Sequence, residues 1–310
     1  MSIFIFILTN NIAPIFLIIF LGFILGKTFK MDVKGLSKIS FYLLIPSFIF
    51  VSLYETTIDM NLLKVLLFAF LFFVLSYIVS SLVGKLRKQT KSINATFINT
   101  VILFNAGNFG VPLIALVFKD SPQLVYATSI QIMILAFQNI ITYTVGFLNG
   151  GRGQMKINDT LKKVVSMPSI YAIFLAFLLK YLQIDISKFF LWPSLIYLRN
   201  GLVPMALITL GVQLSITKFH LSSFDIYLAS FMRLCGGPII TFVLITLMGF
   251  NGIIPKVLLI SSAVPSAVNS ALIAVEFDNE PDFASQVVIT TTLLSSISLT
   301  IVIYLAKFMF

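Results

Sequence analysis

Two short stretches of this chain concentrate hydrogen-bonding groups inside otherwise apolar sequence. Residues 105–112 read NAGNFGVP and residues 261–270 read SSAVPSAVNS. The first offers Asn105 and Asn108 among Gly107, Gly110 and Pro112; the second offers Ser266 and Asn269 beside Pro265. Their amides and hydroxyls donate hydrogen bonds without carrying charge. Proline removes a backbone donor and clashes with the preceding turn, and glycine loosens a helix. A helix interrupted at such a place exposes free N–H groups with partial positive charge, which suits an anion. Neither stretch contains Asp, Glu, Lys, Arg or His. A site for a proton or cation in apolar surroundings usually holds a carboxylate. The two stretches therefore suit a small carboxylate better than a metal ion, and no metal site is expected.

Other polar residues are secondary candidates. Gln131 and Gln138 lie seven apart on one helical face, with Asn139 adjacent, and bonding between helices is favoured for them over lining a cavity. Gln213 closes the run LGVQL. Arg199 and Arg233 fall inside apolar runs, from which long side chains can snorkel outward. Trp192 reads as an interface anchor. The lone Cys235 excludes an intramolecular disulfide, and the lone His220 sits outside the apolar runs with no metal-binding cluster around it. The chain has no His-Glu-x-x-His motif, so an enzyme of that kind is not expected.

The elements that position these groups are set by composition. The chain has 310 residues, 59% hydrophobic and 10% charged, with mean hydropathy +1.05. A soluble domain is about 25% charged. Apolar runs of about 20 residues recur along the whole length, as bilayer-spanning helices require. They read as ten spans: 3–26, 35–54, 62–84, 93–118, 123–148, 166–182, 192–214, 223–248, 255–276 and 284–308. The first lacks a charged leader region and a cleavage site, and reads as a helix rather than a signal peptide. The protein is thus expected to be an all-α polytopic membrane protein with the lipid bilayer as its partner. The net charge of +10 lies largely in short loops, which points to membrane orientation and not to a nucleic-acid partner.

The loop charges are asymmetric. Lys27, Lys30, Lys34, Lys38, Lys85, Arg87, Lys88, Lys91, Arg152, Lys156, Lys162, Lys163 and Lys218 fall on one side, thirteen in all. Lys64, Lys119, Lys180, Lys188, Lys256 and Lys307, six, fall on the other. The positive-inside rule then places both termini outside the cytoplasm, in a multi-pass protein of the cell membrane.

The two halves are related. Residues 14–25 (PIFLIIFLGFIL) align without gaps on 168–179 (PSIYAIFLAFLL). Pro14 pairs with Pro168, Pro46 with Pro204 and Pro112 with Pro265, at offsets of 154, 158 and 153. Residues 1–150 and 166–310 are therefore expected to be two five-helix repeats, joined by a short cytoplasmic linker, 151–165. An odd helix number inverts the second copy in the membrane, and interrupted helices at matching places in both halves point to a transporter's binding site. These would be helices 4 and 9.

On these residues the chain resembles the auxin efflux carrier family, the bacterial relatives of the plant PIN carriers. The likeness rests on LLIPSFIF in helix 2, on an Asn seven residues before Pro112, on PMALITLGVQL in helix 7 and on PSAVNSALIAVEF in helix 9. It implies a scaffold of helices 1, 2, 6 and 7 and a moving transport domain of helices 3–5 and 8–10. Helices 4 and 9 would cross at Pro112 and Pro265, flanked by Gly107 and Gly110. Asn105 and Asn269 match the family's residues near the substrate, and Ser47, after the helix 2 proline, would face the site from the scaffold. A homodimer could form through the scaffold helices. Plant PIN carriers often have a long loop after helix 5. The polar stretch here is only 149–165, so control by phosphorylating such a loop is not carried over. Bacterial members are thought to move various carboxylates, so auxin itself is not implied.

The function expected is alternating-access transport of small organic anions, in the efflux direction. Each negative charge leaving a cytoplasm-negative cell is favoured by about 2.3 kcal/mol per 100 mV. No cofactor is expected. The alternative is a sodium- or proton-coupled symporter on the same fold, like the bile-acid sodium symporters, since carbonyls, Asn, Gln and Ser can also hold sodium. A channel fits two broken helices less well.

Overall fold

The computed structural model describes residues 5, 7–29, 31–55, 60–151, 168–216 and 223–310. These residues are helical almost throughout; the one β-type contact among them is an isolated antiparallel bridge between Phe104 and Ser266. In chain order the helices are α1 (8–29), α2 (33–55), α3 (Met60–Leu86), α4 (Lys91–Ile102), α5 (Ala106–Val117) and α6 (Leu124–Gly150). There follow α7 (Pro168–Tyr181), α8 (Trp192–Ile216), α9 (Phe224–Met248), α10 (Ile253–Ser262), α11 (Val268–Glu276) and α12 (Pro281–Met309). The spans read at 93–118 and 255–276 are each divided, into α4 and α5 and into α10 and α11. Most of the expected linker, with Arg152, Lys156, Lys162 and Lys163, lies outside the described residues, as do Lys30, Lys218 and His220.

Length and apolar surface account for the membrane character. Helices α3, α6, α8, α9 and α12 have 25 to 29 residues each. At about 1.5 Å per residue they exceed the roughly 30 Å hydrocarbon core. Their neighbours α1, α2, α5, α7 and α10 are shorter and also apolar. Large hydrophobic side chains face outward, among them Leu17, Phe20 and Leu21 on α1 and Leu63, Leu67 and Phe70 on α3. Such an outer surface is stable against lipid and not against water.

The helices associate in two groups. In the first, α1 packs on α8, and α2 packs on α7 and α8. The α1–α8 contact is a small-residue seam: Gly22 and Gly26 on one helix meet Gly211 and Ser215 on the other. A Cβ added at Gly211 would lie 2.7 Å from the Phe23 backbone nitrogen. Only glycine lets these backbones approach so closely, the usual basis of tight association in lipid. The C-terminus of α2 is held by cations. Lys180 Nζ donates to the carbonyls of Leu53 and Tyr54 at 3.2 and 2.9 Å, and Arg199 pairs with Glu55 at 2.7 Å. Arg199 thus joins α8 to the end of α2. Trp192, the first residue of α8, packs edge-on against Tyr54, with ring centroids 5.3 Å apart, and is buried.

In the second group α3, α4, α6, α9, α10 and α12 pack on one another. Arg87, at the end of α3, pairs with Asp225 in the first turn of α9 at 3.2 Å. Among the described residues five wide π-turns interrupt the helices, at Leu8–Ile12, Ser40–Leu44, Ala106–Gly110, Thr142–Gly146 and Met232–Gly236. Such turns concentrate at functional sites. The third begins α5, and the fifth carries Arg233.

Candidate functional site

The site is built where two chains of helix stop halfway. Beyond α4, Leu103 turns extended (φ −91°, ψ 101°), and Asn105 (φ −78°, ψ 61°) precedes the π-turn of α5. Beyond α10, the chain runs non-helically to Ala267 (φ −70°, ψ 139°) before α11. The two extended stretches lie against each other. Asn105 N donates to the Pro265 carbonyl at 2.9 Å, and Ala267 N donates to the Leu103 carbonyl at 2.7 Å. Irregular backbone at membrane depth needs internal partners, and here each break supplies them to the other.

The last carbonyls of α4 would otherwise be orphans. They are satisfied in turn: Thr100 by the Ser266 hydroxyl at 2.6 Å, Val101 by Arg233 Nη1 at 2.8 Å and Ile102 by Gln138 Nε2 at 3.1 Å. Gln131 Nε2 donates to the Ala106 carbonyl at 2.9 Å. Gly110 makes room for that amide, since a Cβ there would lie 2.5 Å from Gln131 Nε2. Gln131 and Gln138 thus bond between helices, as favoured from sequence, and Gln138 also borders the cavity described next.

Beside the crossing lies a cavity of about 30 Å³, whose polar lining comes from Asn105, Asn108, Gln138, Asn139, Thr142 and Asn269. Gly107 also borders it, and no ionisable side chain among the described residues does. Asn105 is 6% exposed, and its Nδ2 amide finds no hydrogen-bond partner among the described residues. A buried unpaired donor is costly, roughly 1–3 kcal/mol, and such a group in a cavity wall is available to a ligand. The space holds about two waters, too little for an organic carboxylate. A larger cavity of about 300 Å³ lies between the end of α8, α11 and the start of α12, bordered by Gln213, Asp282 and Gln286. Val268 borders both spaces.

The structure therefore gathers Asn105, Gly107, Asn108, Gln138 and Asn269 at one cavity. Ser266 is fully buried and engaged in the crossing, its hydroxyl on Thr100 and its amide on Thr291 Oγ1 at 3.1 Å. Ser47 is buried on α2 and is not part of the cavity lining. Gln213 borders the larger cavity. Pro265 lies within its break. Pro112 does not: it follows the π-turn, seven residues beyond Asn105, in the first turn of the regular part of α5. The residue missed as a member of the crossing is Arg233. Its sequence signal was an arginine deep inside an apolar run, which snorkelling could equally explain.

Neutral donors at a break between packed helices, with a larger cavity adjoining, define a membrane carrier's site more readily than a catalytic one. The chain belongs to the membrane transport protein family, the auxin efflux carrier family: the family's model matches residues 7–303. It is similar to an uncharacterized transporter of Methanothermobacter thermautotrophicus, 25% identical over 303 residues, covering 94% of this chain and 96% of that protein. It is also similar to an uncharacterized transporter of Methanocaldococcus jannaschii, 26% identical over 281 residues, covering 87% of this chain and 88% of that one.

Proposed function

We propose that this protein carries small organic carboxylates across the cell membrane by alternating access, in the efflux direction. The observation that carries the reading is the cavity wall at the crossing. Asn105, Asn108 and Asn269 converge there from both breaks, and among the described residues Asn105 Nδ2 is buried and unpartnered and no charged side chain borders the space. Amide donors satisfy a carboxylate, whereas a bound metal or proton calls for acceptors of higher charge.

The packing supports a division of labour. Helices α1, α2, α7 and α8 would form the scaffold, and α3–α6 with α9–α12 the transport domain, from two inverted five-helix repeats (1–150 and 166–310). Pairing α4 with α5 and α10 with α11 gives the ten spans of that scheme, with both termini outside the cytoplasm. The 30 Å³ cavity is the closed substrate site, and the 300 Å³ cavity is its vestibule on the side of the Arg87–Asp225 pair. Sliding of the transport domain along the scaffold would enlarge the first at the expense of the second.

The test is uptake of a panel of labelled mono- and dicarboxylates into proteoliposomes, with amino acids and sugars as controls. Saturable uptake of one or more carboxylates is expected. Uptake confined to neutral or cationic solutes contradicts the reading.

A further inference from the structure

Arg233 is the largest fully buried side chain among the described residues, at 1% exposure in the π-turn at the middle of α9. Among the described residues it makes no salt bridge. Its guanidinium donates to the carbonyl of Val101 at 2.8 Å and to that of Ser262. The first carbonyl lies in the last turn of α4 and the second ends α10. The rings of Phe104 and Phe72 lie over it, with centroids 4.9 and 5.7 Å away. Gly237, one turn on, keeps the space open: a Cβ there would lie 2.6 Å from Arg233 Nη2.

A helix C-terminus carries roughly half a negative charge. Two of them meet here in apolar surroundings, amounting to about one negative charge, and one guanidinium faces both. A planar fork with divergent donors suits two separate carbonyls better than an ammonium does. The absence of charge in the two breaks, read from sequence, is thus made good by a cation from a third helix. Carbonyl oxygens converging at a helix break could otherwise hold a sodium ion.

We propose that Arg233 is the resident cation of the crossing. It fixes the two helix ends, neutralises their combined dipole and fills the role of a dissociable coupling ion, so that the carrier works without sodium at this place. Arg233 is a positioning residue: it touches the helix ends, and Phe104 stands between it and the substrate cavity. The absence of sodium coupling rests on the carrier reading above; the cation role does not, and its test uses no substrate.

The experiment is thermal unfolding of purified protein in detergent, in choline, sodium and lithium chloride at equal ionic strength. The parent is expected to unfold at one temperature in all three. Arg233→Gln, which keeps a donor but loses the charge, is expected to unfold at least about 5 °C lower, a loss of about 3 kcal/mol for a chain of this length. Millimolar guanidinium should restore part of that loss, with tetramethylammonium ineffective. Arg233→Lys should fall between parent and Gln and respond weakly. A purely packing role would lower the unfolding temperature without any cation-selective rescue, and that pattern overturns the proposal. So does a saturable sodium-specific stabilisation of the parent. Should Arg233→Gln not fold, Arg233→Lys decides: an unfolding temperature equal to the parent's shows the two-carbonyl fork is not needed. Proteoliposomes that move no carboxylate while the cation pattern holds would count against the substrate reading alone.

Discussion

The backbone amide of Asn105 donates to the carbonyl of Pro265 over 2.9 Å, tying the first break to the second. With the return bond from Ala267 to Leu103, the two interruptions form one short antiparallel contact. Neither break can close into regular helix without stripping partners from the other. The side chain of Asn105, at the same residue, borders the cavity, and its Nδ2 amide has no partner among the described residues.

Replacing Asn105 or Asn269 with Ala should therefore weaken transport while leaving folded protein nearly at parental levels. A hydrogen bond to a charged group is worth roughly 1.5–3 kcal/mol, or about ten- to a hundredfold in affinity. The concentration dependence of initial uptake checks this. Unchanged affinity in both variants rules out these amides as substrate ligands.

The two prolines should separate. Pro265→Ala frees a residue inside its break, and the initial rate per folded molecule should fall more than abundance does. Pro112→Ala restores one backbone donor inside α5, beyond the break, and leaves the extended contact untouched, so its effect on rate should be smaller. Rates normalised by size-exclusion peak area distinguish them. An equal or larger loss at Pro112 would mean that the π-turn after Asn105, and not the extended contact, is the working part.

Gly110 and Gln131 should be coupled. A methyl at 110 displaces the Gln131 amide from the Ala106 carbonyl, leaving buried groups unpaired at a cost of about 1–3 kcal/mol. Gly110→Ala should lower the unfolding temperature, and adding Gln131→Ala should cost less than the sum of the two single changes. Additive losses within about 0.5 kcal/mol would show that the two sites act independently.

Orientation can be checked by cysteine labelling after Cys235 is replaced. Single cysteines near residue 309 and in the turn at 120 should react with impermeant reagents from outside the cell, and one at Lys88 only after permeabilisation. A C-terminus inside would contradict the two inverted five-helix repeats, because ten spans put both ends on one side.

Much of this was legible in the sequence, since the bilayer imposes its demands locally. Runs of apolar residues long enough to span, and Gly, Pro and Asn clustered where a run had to break, placed Asn105, Asn108 and Asn269 without knowledge of any neighbour. What escaped depends on which helix lies next to which. Gly22, Gly26 and Gly211 carry no local signal, and their role follows only from the contact between α1 and α8. Ser266 was expected to face the substrate and instead bonds Thr100, because the antiparallel contact turns its hydroxyl into the crossing. Pro112 looked like the breaker, yet the chain turns extended nine residues earlier, at Leu103, where Leu103 and Asn105 find partners on the second break. Arg233 lies more than a hundred residues along the chain from the carbonyl of Val101, and no local pattern links them.

The most direct test is efflux of a labelled carboxylate from sodium-free proteoliposomes holding a potassium-diffusion potential, negative inside, with parent and Asn105→Ala protein compared. Efflux through the parent should rise as the potential becomes more negative, since each charge gains about 2.3 kcal/mol per 100 mV. It should be insensitive to added sodium and at least about tenfold weaker in the variant at low substrate. Efflux that requires a sodium gradient, or that passes equally through the variant, would contradict an uncoupled anion carrier built on the crossing of the two broken helices.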